Sequence, residues 1–283
     1  MIQEQSLQDL IIEEVTSNRV ELPVFHPVAL KLQYIASDEN ISVADIEAIL
    51  MEDQALASQV LRMANSAFFK GLHTITTIRK AIIRLGLQQV ANLAMAASQR
   101  SAYSTDNTLL HDYLEKLWQH AFASAMGSRW IAERCGFPHE ADSAFLAGLL
   151  HNIGKLAIVK IFEELCAQKK ITALSDTVMF EVLESPLHTE QGYRLMTQWN
   201  LPQPYCVIAR DHHNTHWDSN NNLLVIVRLV DQACRKIGLG INPDSTIIPA
   251  MTPEAHSLGL TEIQLAELEI ALEDTCQLQA LAC

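Results

Sequence analysis

The chain has 283 residues, enough for one large domain or two of ordinary size, and 49% of them are hydrophobic. With 20 Lys+Arg against 33 Asp+Glu, its formal charge of −13 disfavours broad binding to nucleic acid or an anionic membrane, since either needs clustered positive charge. No uninterrupted apolar run approaches transmembrane length, and the acidic opening MIQEQSLQDLIIEEV lacks the basic flank of a secretion signal. Six cysteines, at 135, 166, 206, 234, 276 and 283, show no CxxC spacing and read as reduced, mostly buried thiols of a cytoplasmic protein. Cys283, at the terminus, is the one expected to be exposed.

In chain order, the pattern is helical nearly throughout. In VADIEAILMEDQALASQVLRMANSAFF, Ile46, Ile49, Leu50, Leu56, Val60, Leu61 and Ala64 recur at three- and four-residue intervals, with a break expected at Glu52-Asp53-Gln54. TTIRKAIIRLGLQQVANLAMAASQR follows, with Thr76 or Thr77 as N-cap, an apolar stripe through Ile78, Ile82, Leu85 and Leu93, and a helix junction at Gly86. Residues 101–110 have no useful periodicity and read as a connection, so the expected division is residues 1–108 and residues 109–283.

The second part opens on a helix whose small residues Ala121, Ala123, Ala125 and Gly127 allow close packing. EADSAFLAGLLHNIGKLAIVKIFEEL is a second, buried helix with a turn expected near Gly154. TEQGYRLMTQWNLP is a third, ending at Leu201-Pro202, because proline cannot extend the hydrogen-bonded ladder. LLVIVRLVDQACRKIG supplies another helix facing inward through Val225, Ile226, Leu229 and Val230, and a docking helix starts near Thr261. No run of alternating strands and no repeat is present.

Polar residues recur inside these apolar patterns: His120, His151-Asn152, His188, His212, His213 and Asp231. One such histidine alone is more often a hydrogen-bonded core residue than a ligand. Five histidines and an aspartate at helix ends and apolar faces form a set able to converge on a divalent ion. His26, His73, His111, His139, His216 and His256 fall outside it. Trp118, Trp130, Trp199 and Trp217 read as core or interface residues, too scattered for a stacking platform.

Three stretches carry a family likeness: ELPVFHPVALKL with its Leu-Pro turn, DQALASQVLRMANSAFF with Asn65-Ser66, and ITTIRKAIIRLGLQQVANL with Ala81-Ile82 and Leu85-Gly86. Over roughly residues 15–230 the chain resembles the HDOD family, helical signal-output domains within the HD metal-dependent phosphohydrolase superfamily. The resemblance implies an all-α, two-lobed bundle: an amino-terminal lobe (1–108) and an HD-like carboxyl-terminal lobe with a helical extension (109–283). It matches His120, His151 and Asp231 to metal ligands of the HD core, and His188, His212 and His213 to additional histidines of the branch that hydrolyses cyclic dinucleotides. Of these, His120, His151, His212 and Asp231 form the expected core, with His188 and His213 as further ligands or supporting donors. That branch's Gly-Tyr-Pro motif is missing, since NTHWDSNNN follows His213. Asn65-Ser66 reads either as a plain helix end or as a stabilised corner facing a partner. Lys155 reads first as a solvated side chain, with a substrate-phosphate contact as what the resemblance implies.

Asn152 stands where the family's metal-bridging aspartate is expected. Asparagine is neutral, offers one carbonyl oxygen, and adds an NH2 that points badly at a cation. The expectation is therefore a non-catalytic bacterial signalling module acting through a protein partner. One divalent transition metal (Fe, Mn, Zn or Ni) or none at all is expected in the site. Two alternatives stay open: a residual metal-dependent phosphohydrolase acting on a nucleotide or phosphodiester, and a nucleotide- or phosphate-binding module without turnover.

Overall fold

The computed structural model describes residues 12–14, 26–36, 38, 40–66, 69, 73–171 and 175–279. The Leu22-Pro23 turn, most of the acidic opening and Cys283 lie outside the described residues. Every regular element among the described residues is a helix.

Helices α1 (Pro27–Ile35), α2 (Val43–Leu50), α3 (Gln54–Ala64), α4 (Ile78–Leu85) and α5 (Leu87–Arg100) form the amino-terminal part. Their starts are written in side-chain chemistry. Ser42 and Asp45 make a reciprocal capping box on α2, Asp53 accepts from the Leu56 amide at 2.8 Å to start α3, and Thr77 caps α4. The break expected at 52–54 thus falls at the Asp53 cap. Gly86, at φ +90°, ends α4 and opens α5, a conformation that side chains rarely tolerate. Asn65 closes α3 and also clasps Ile75 in both directions, donating to its carbonyl at 2.8 Å and accepting from its amide at 2.7 Å. The corner is therefore more than a plain helix end.

A 3-10 turn at Ser101–Tyr103 leads to α6 (Thr108–Arg134), a 27-residue helix capped by Asn107 and buried along most of its length. It is followed by α7 (Ala141–Leu150), α8 (Ile153–Ala167), α9 (Asp176–Glu184), α10 (Leu187–Gln198), α11 (Gln203–Asp211), α12 (Asn222–Lys236), α13 (Pro253–Ser257) and α14 (Glu262–Gln279), of which α7, α8, α12 and α14 pack against it. Small residues set the close approaches. A Cβ on Gly127 would stand 2.7 Å from Leu272 of α14, and one on Gly148 would stand 2.4 Å from the Ser124 carbonyl of α6. Leu265, Leu268 and Leu272 bury the α14 face against this bundle, the docking expected for the last helix. One apolar cluster runs from Ala29 through α5, α6 and α8 to Ala209, so both parts share a core.

Four expectations need adjusting. The turn expected near Gly154 lies at His151-Asn152, which separate α7 from α8. Gly154 sits inside the first turn of α8, where a Cβ would fall 1.8 Å from the His188 carbonyl, so its smallness serves the α8–α10 contact. Helix α10 stops at Gln198, before Leu201-Pro202, with Asn200 at φ 55° turning the chain. The stretch 138–167 does match a membrane span by length and composition over an 18-residue window, yet 94% of that window is buried within the fold. Of the four cysteines whose side chains are described, only Cys206 and Cys234 are buried; Cys135 and Cys166 are partly so, and all four are free thiols. Trp118 and Trp130 are buried, while Trp199 and Trp217 pack at the edge of the core.

Candidate metal centre

Helix ends supply most of this site. His120 projects from the middle of α6 and Asp231 from the middle of α12. His151 and Asn152 occupy the turn between α7 and α8, His188 the first turn of α10, and His212 and His213 the end of α11. Four helices and one turn thereby deliver all six expected ligands and Asn152 to one place.

The ligands sort into two triads. His120, His151 and Asp231 form the first, and His188, His212 and His213 the second; within each, the potential ligand atoms lie within 4.8 Å of one another. His212 therefore groups with His188 and His213, whereas the expected core placed it with His120, His151 and Asp231. The first triad is buried throughout, while His213 of the second reaches solvent. The rings of His151 and His212 stand nearly perpendicular at 5.0 Å where the triads meet.

Hydrogen bonding sets the tautomers. His120 Nδ1 faces the Leu239 carbonyl at 3.3 Å and His151 Nδ1 the Gly148 carbonyl at 2.7 Å. His188 Nδ1 faces the Ser185 carbonyl at 2.7 Å, and His212 Nδ1 the Ala209 carbonyl at 3.0 Å. A carbonyl only accepts, so in each ring Nδ1 carries the hydrogen and Nε2 keeps its lone pair. Backbone carbonyls orient metal-binding imidazoles in the same manner.

Acceptors then face acceptors. His120 Nε2 lies 3.1 Å from Asp231 Oδ1 and 3.3 Å from His151 Nε2, and His151 Nε2 lies 3.6 Å from Asp231 Oδ1. Three electron-rich atoms at such spacing form a cluster suited to a cation. Donors held at ~2.1 Å around a tetrahedral ion stand about 3.4 Å apart, which is the spacing found. In the second triad the buried His188 Nε2 has no hydrogen-bond partner, a lone pair left for a ligand. The donor set fits a divalent transition metal.

The electrostatics agree with neutral imidazoles at His151, His188 and His212 and a charged carboxylate at Asp231. Burial pushes His188 and His212 well below the ordinary histidine range, helped by Lys155 near the former and His213 near the latter. Burial lowers His151 as well, with Asp231 opposing. Burial alone would raise Asp231, but His120 and His151 outweigh it and hold the carboxyl well below its usual range.

Lys155 departs from the solvated reading. It is 5% exposed and lines a small pocket of about 20 Å³ beside His120, Asn152, His213 and Asp231. Its Nζ meets Glu184 Oε1 at 2.5 Å, and that partner compensates the buried charge. Glu184, Arg235 and Asn242 also line this pocket. Sequence reading missed these three, because a lone glutamate at a helix end and an asparagine in a loop carry no pattern. The excluded histidines lie outside both triads, and His26 instead pairs with Asp53 at 3.0 Å.

Known proteins place this architecture. A Geobacter sulfurreducens structure, described as an HDOD domain protein with unknown function, matches with a TM-score of 0.76 and 24% identity, covering 98% of this chain and 99% of that one. A Shewanella amazonensis structure, provisionally named a metal-dependent phosphohydrolase, matches at 0.69 with 17% identity, covering 97% and 99%. A Marinobacter aquaeolei structure, provisionally named a signal transduction protein, matches at 0.69 with 20% identity, covering 99% of this chain and 66% of that one. An uncharacterized Treponema pallidum protein is 28% identical over 203 residues, which are 69% of this chain and 38% of that protein, so the chain spans well under half of that relative's length. The HDOD domain itself matches residues 22–215, a range holding all five site histidines and Asn152 but ending before Asp231. With two thirds of its length inside that match and a helical architecture shared end to end with a solved member, the chain belongs to the HDOD domain family.

Proposed function

We propose that this chain is a regulatory module that acts through protein–protein contact and keeps a weakened metal centre without hydrolytic turnover. One observation carries the reading. Asn152 lies between the triads, its Nδ2 donating to His151 Nε2 at 2.8 Å and its Oδ1 facing His212 Nε2 at 3.2 Å. Both nitrogens are acceptors, so the amide covers one of them with its NH2 whichever way it is turned. An aspartate here would leave both lone pairs free and add a negative charge between the triads.

His120, His151 and Asp231 are the residues that would hold a single ion, and His188, His212 and His213 would supply a second, uncharged set. Bound there, a divalent metal supplies Lewis acidity and lowers the pKa of water. The chain's own residues do the rest. Asp231 provides the one anionic charge in either triad, the backbone carbonyls hold the rings in their ligating tautomer, and Asn152 competes with the ion for His151. The signal-transduction name of the Marinobacter relative supports a partner-directed role.

The test is a panel of phosphodiesters and phosphomonoesters offered to the metal-loaded protein, with His151→Ala as control for adventitious activity. The expected result is no turnover that depends on His151. Robust wild-type hydrolysis lost in His151→Ala would overturn the reading and establish a metal-dependent phosphohydrolase.

A further inference from the structure

The pocket beside the triads is already filled by part of the protein. Glu184, the last residue of α9, places one carboxylate oxygen 2.5 Å from Lys155 Nζ and receives the Asn242 Nδ2 hydrogen bond on the other at 2.7 Å. Those donors come from two separate segments, the first turn of α8 and the loop after α12. Arg235 adds a second cation on the pocket wall, its Nε donating to the Asn242 carbonyl at 3.2 Å. An ammonium and an amide NH2 converging on one oxyanion, with a guanidinium on the same pocket wall, would serve a phosphoryl group equally well.

The two partners of the ion pair are not equally committed to it. The Lys155 side chain is 6% exposed and that of Glu184 20%. A lysine this buried needs an anion, because an unpaired interior charge is costly. The carboxylate stands on the solvent side and returns to water at less cost. From this asymmetry we propose that Glu184 is an internal stand-in for an anionic ligand: its carboxylate fills a phosphoryl subsite on Lys155 and Asn242 and closes the pocket until an outside anion displaces it.

The loop that holds Glu184 also holds the first triad. Its Leu239 carbonyl accepts from His120 Nδ1, and a Cβ on Gly240 would stand 3.1 Å from that same nitrogen. Displacing Glu184 frees Asn242 and shifts a loop that orients His120, so pocket occupancy is transmitted to the metal-binding histidines. This deepens the regulatory reading by naming a phosphoryl-bearing small molecule as its input, and it rests on that reading only for the use made of the signal.

The experiment titrates inorganic phosphate, and separately a nucleoside 5′-monophosphate, into the full chain freed of metal with EDTA, followed by calorimetry. Working without metal separates this question from whether the triads hold an ion. Glu184→Gln is expected to bind at least one of the two probes about tenfold or more tighter than wild type, and Glu184→Gln combined with Lys155→Met is expected to lose that gain. Glu184→Asp, which draws the charge back by one methylene, should give a smaller gain in the same direction and serves where the Gln variant does not fold. Equal affinity of wild type and a folded Glu184 variant for both probes overturns the proposal, as does a gain that survives Lys155→Met.

Discussion

The two triads differ in charge more than in shape. The first holds Asp231 and is closed from solvent, with donor separations of 3.1–3.6 Å. The second consists of imidazoles alone, opens to solvent through His213, and leaves the His188 Nε2 without a partner. A cation entering the first triad meets a carboxylate held in its charged form. A cation entering the second meets only neutral nitrogens, with the Lys155 ammonium nearby depressing His188 further. Ligand-type residues at suitable spacing are therefore not enough. The anionic charge that makes a pair of sites bind two ions is missing at Asn152, where the two sets touch.

The largest expected effect is on stability against pH in the metal-free protein. His151, His188 and His212 are held below the ordinary histidine range in the folded state, whereas unfolded histidines titrate near ~6.5. Below that value the unfolded chain takes up protons that the native site refuses, so stability falls as pH drops. The loss approaches about 1.4 kcal/mol per pH unit for each histidine still neutral. Asp231 acts in the same direction at lower pH: its contribution is present above its unfolded pKa near ~3.9 and is lost only as pH falls below that toward its depressed folded value. Denaturant unfolding in EDTA between about pH 7 and 5 checks this, and a flat profile would mean that the histidines protonate freely in the fold.

Next comes the contact that seats the second triad. Gly154→Ala places a methyl 1.8 Å from the His188 carbonyl on the ideal backbone, so α8 and α10 must separate. The expected cost is about 3 kcal/mol in thermal or denaturant unfolding, at the upper end for overpacking. An unchanged midpoint would show that the helices are not packed as described. A smaller effect should isolate the first triad: Asp231→Asn removes its only carboxylate and should weaken metal binding about 100-fold in a chelator competition, roughly 2.7 kcal/mol. Equal loss from His188→Ala would erase the distinction between the triads.

These particular residues also mark how far the sequence could be read. Helical periodicity and capping chemistry revealed α2 to α5, with the break at 52–54 and a cap at Thr76 or Thr77, because both signals are local; that Asp53 is the cap at the break came only with the structure. The helix break was misjudged by two residues, since glycine suggests a turn and nothing in LLHNIGKLA distinguishes a turn glycine from one needed for close packing. All six candidate ligands were visible as polar residues at helix ends or on apolar faces, with the family resemblance supplying their match to metal ligands. Their sorting into triads was not, because it depends on which side of Asn152 each Nε2 reaches. Lys155 was unreadable for a related reason: its default is solvent, and the glutamate that permits its burial lies 29 positions later.

The most direct measurement is the number of metal ions per chain, by elemental analysis of tag-free protein, in wild type and in Asn152→Asp. At most one tightly held ion is expected in the wild type, with occupancy rising toward two when a carboxylate is restored between the triads. Two tightly held ions in the wild type, or no gain in a folded Asn152→Asp variant, would contradict the claim that this amide disables the centre.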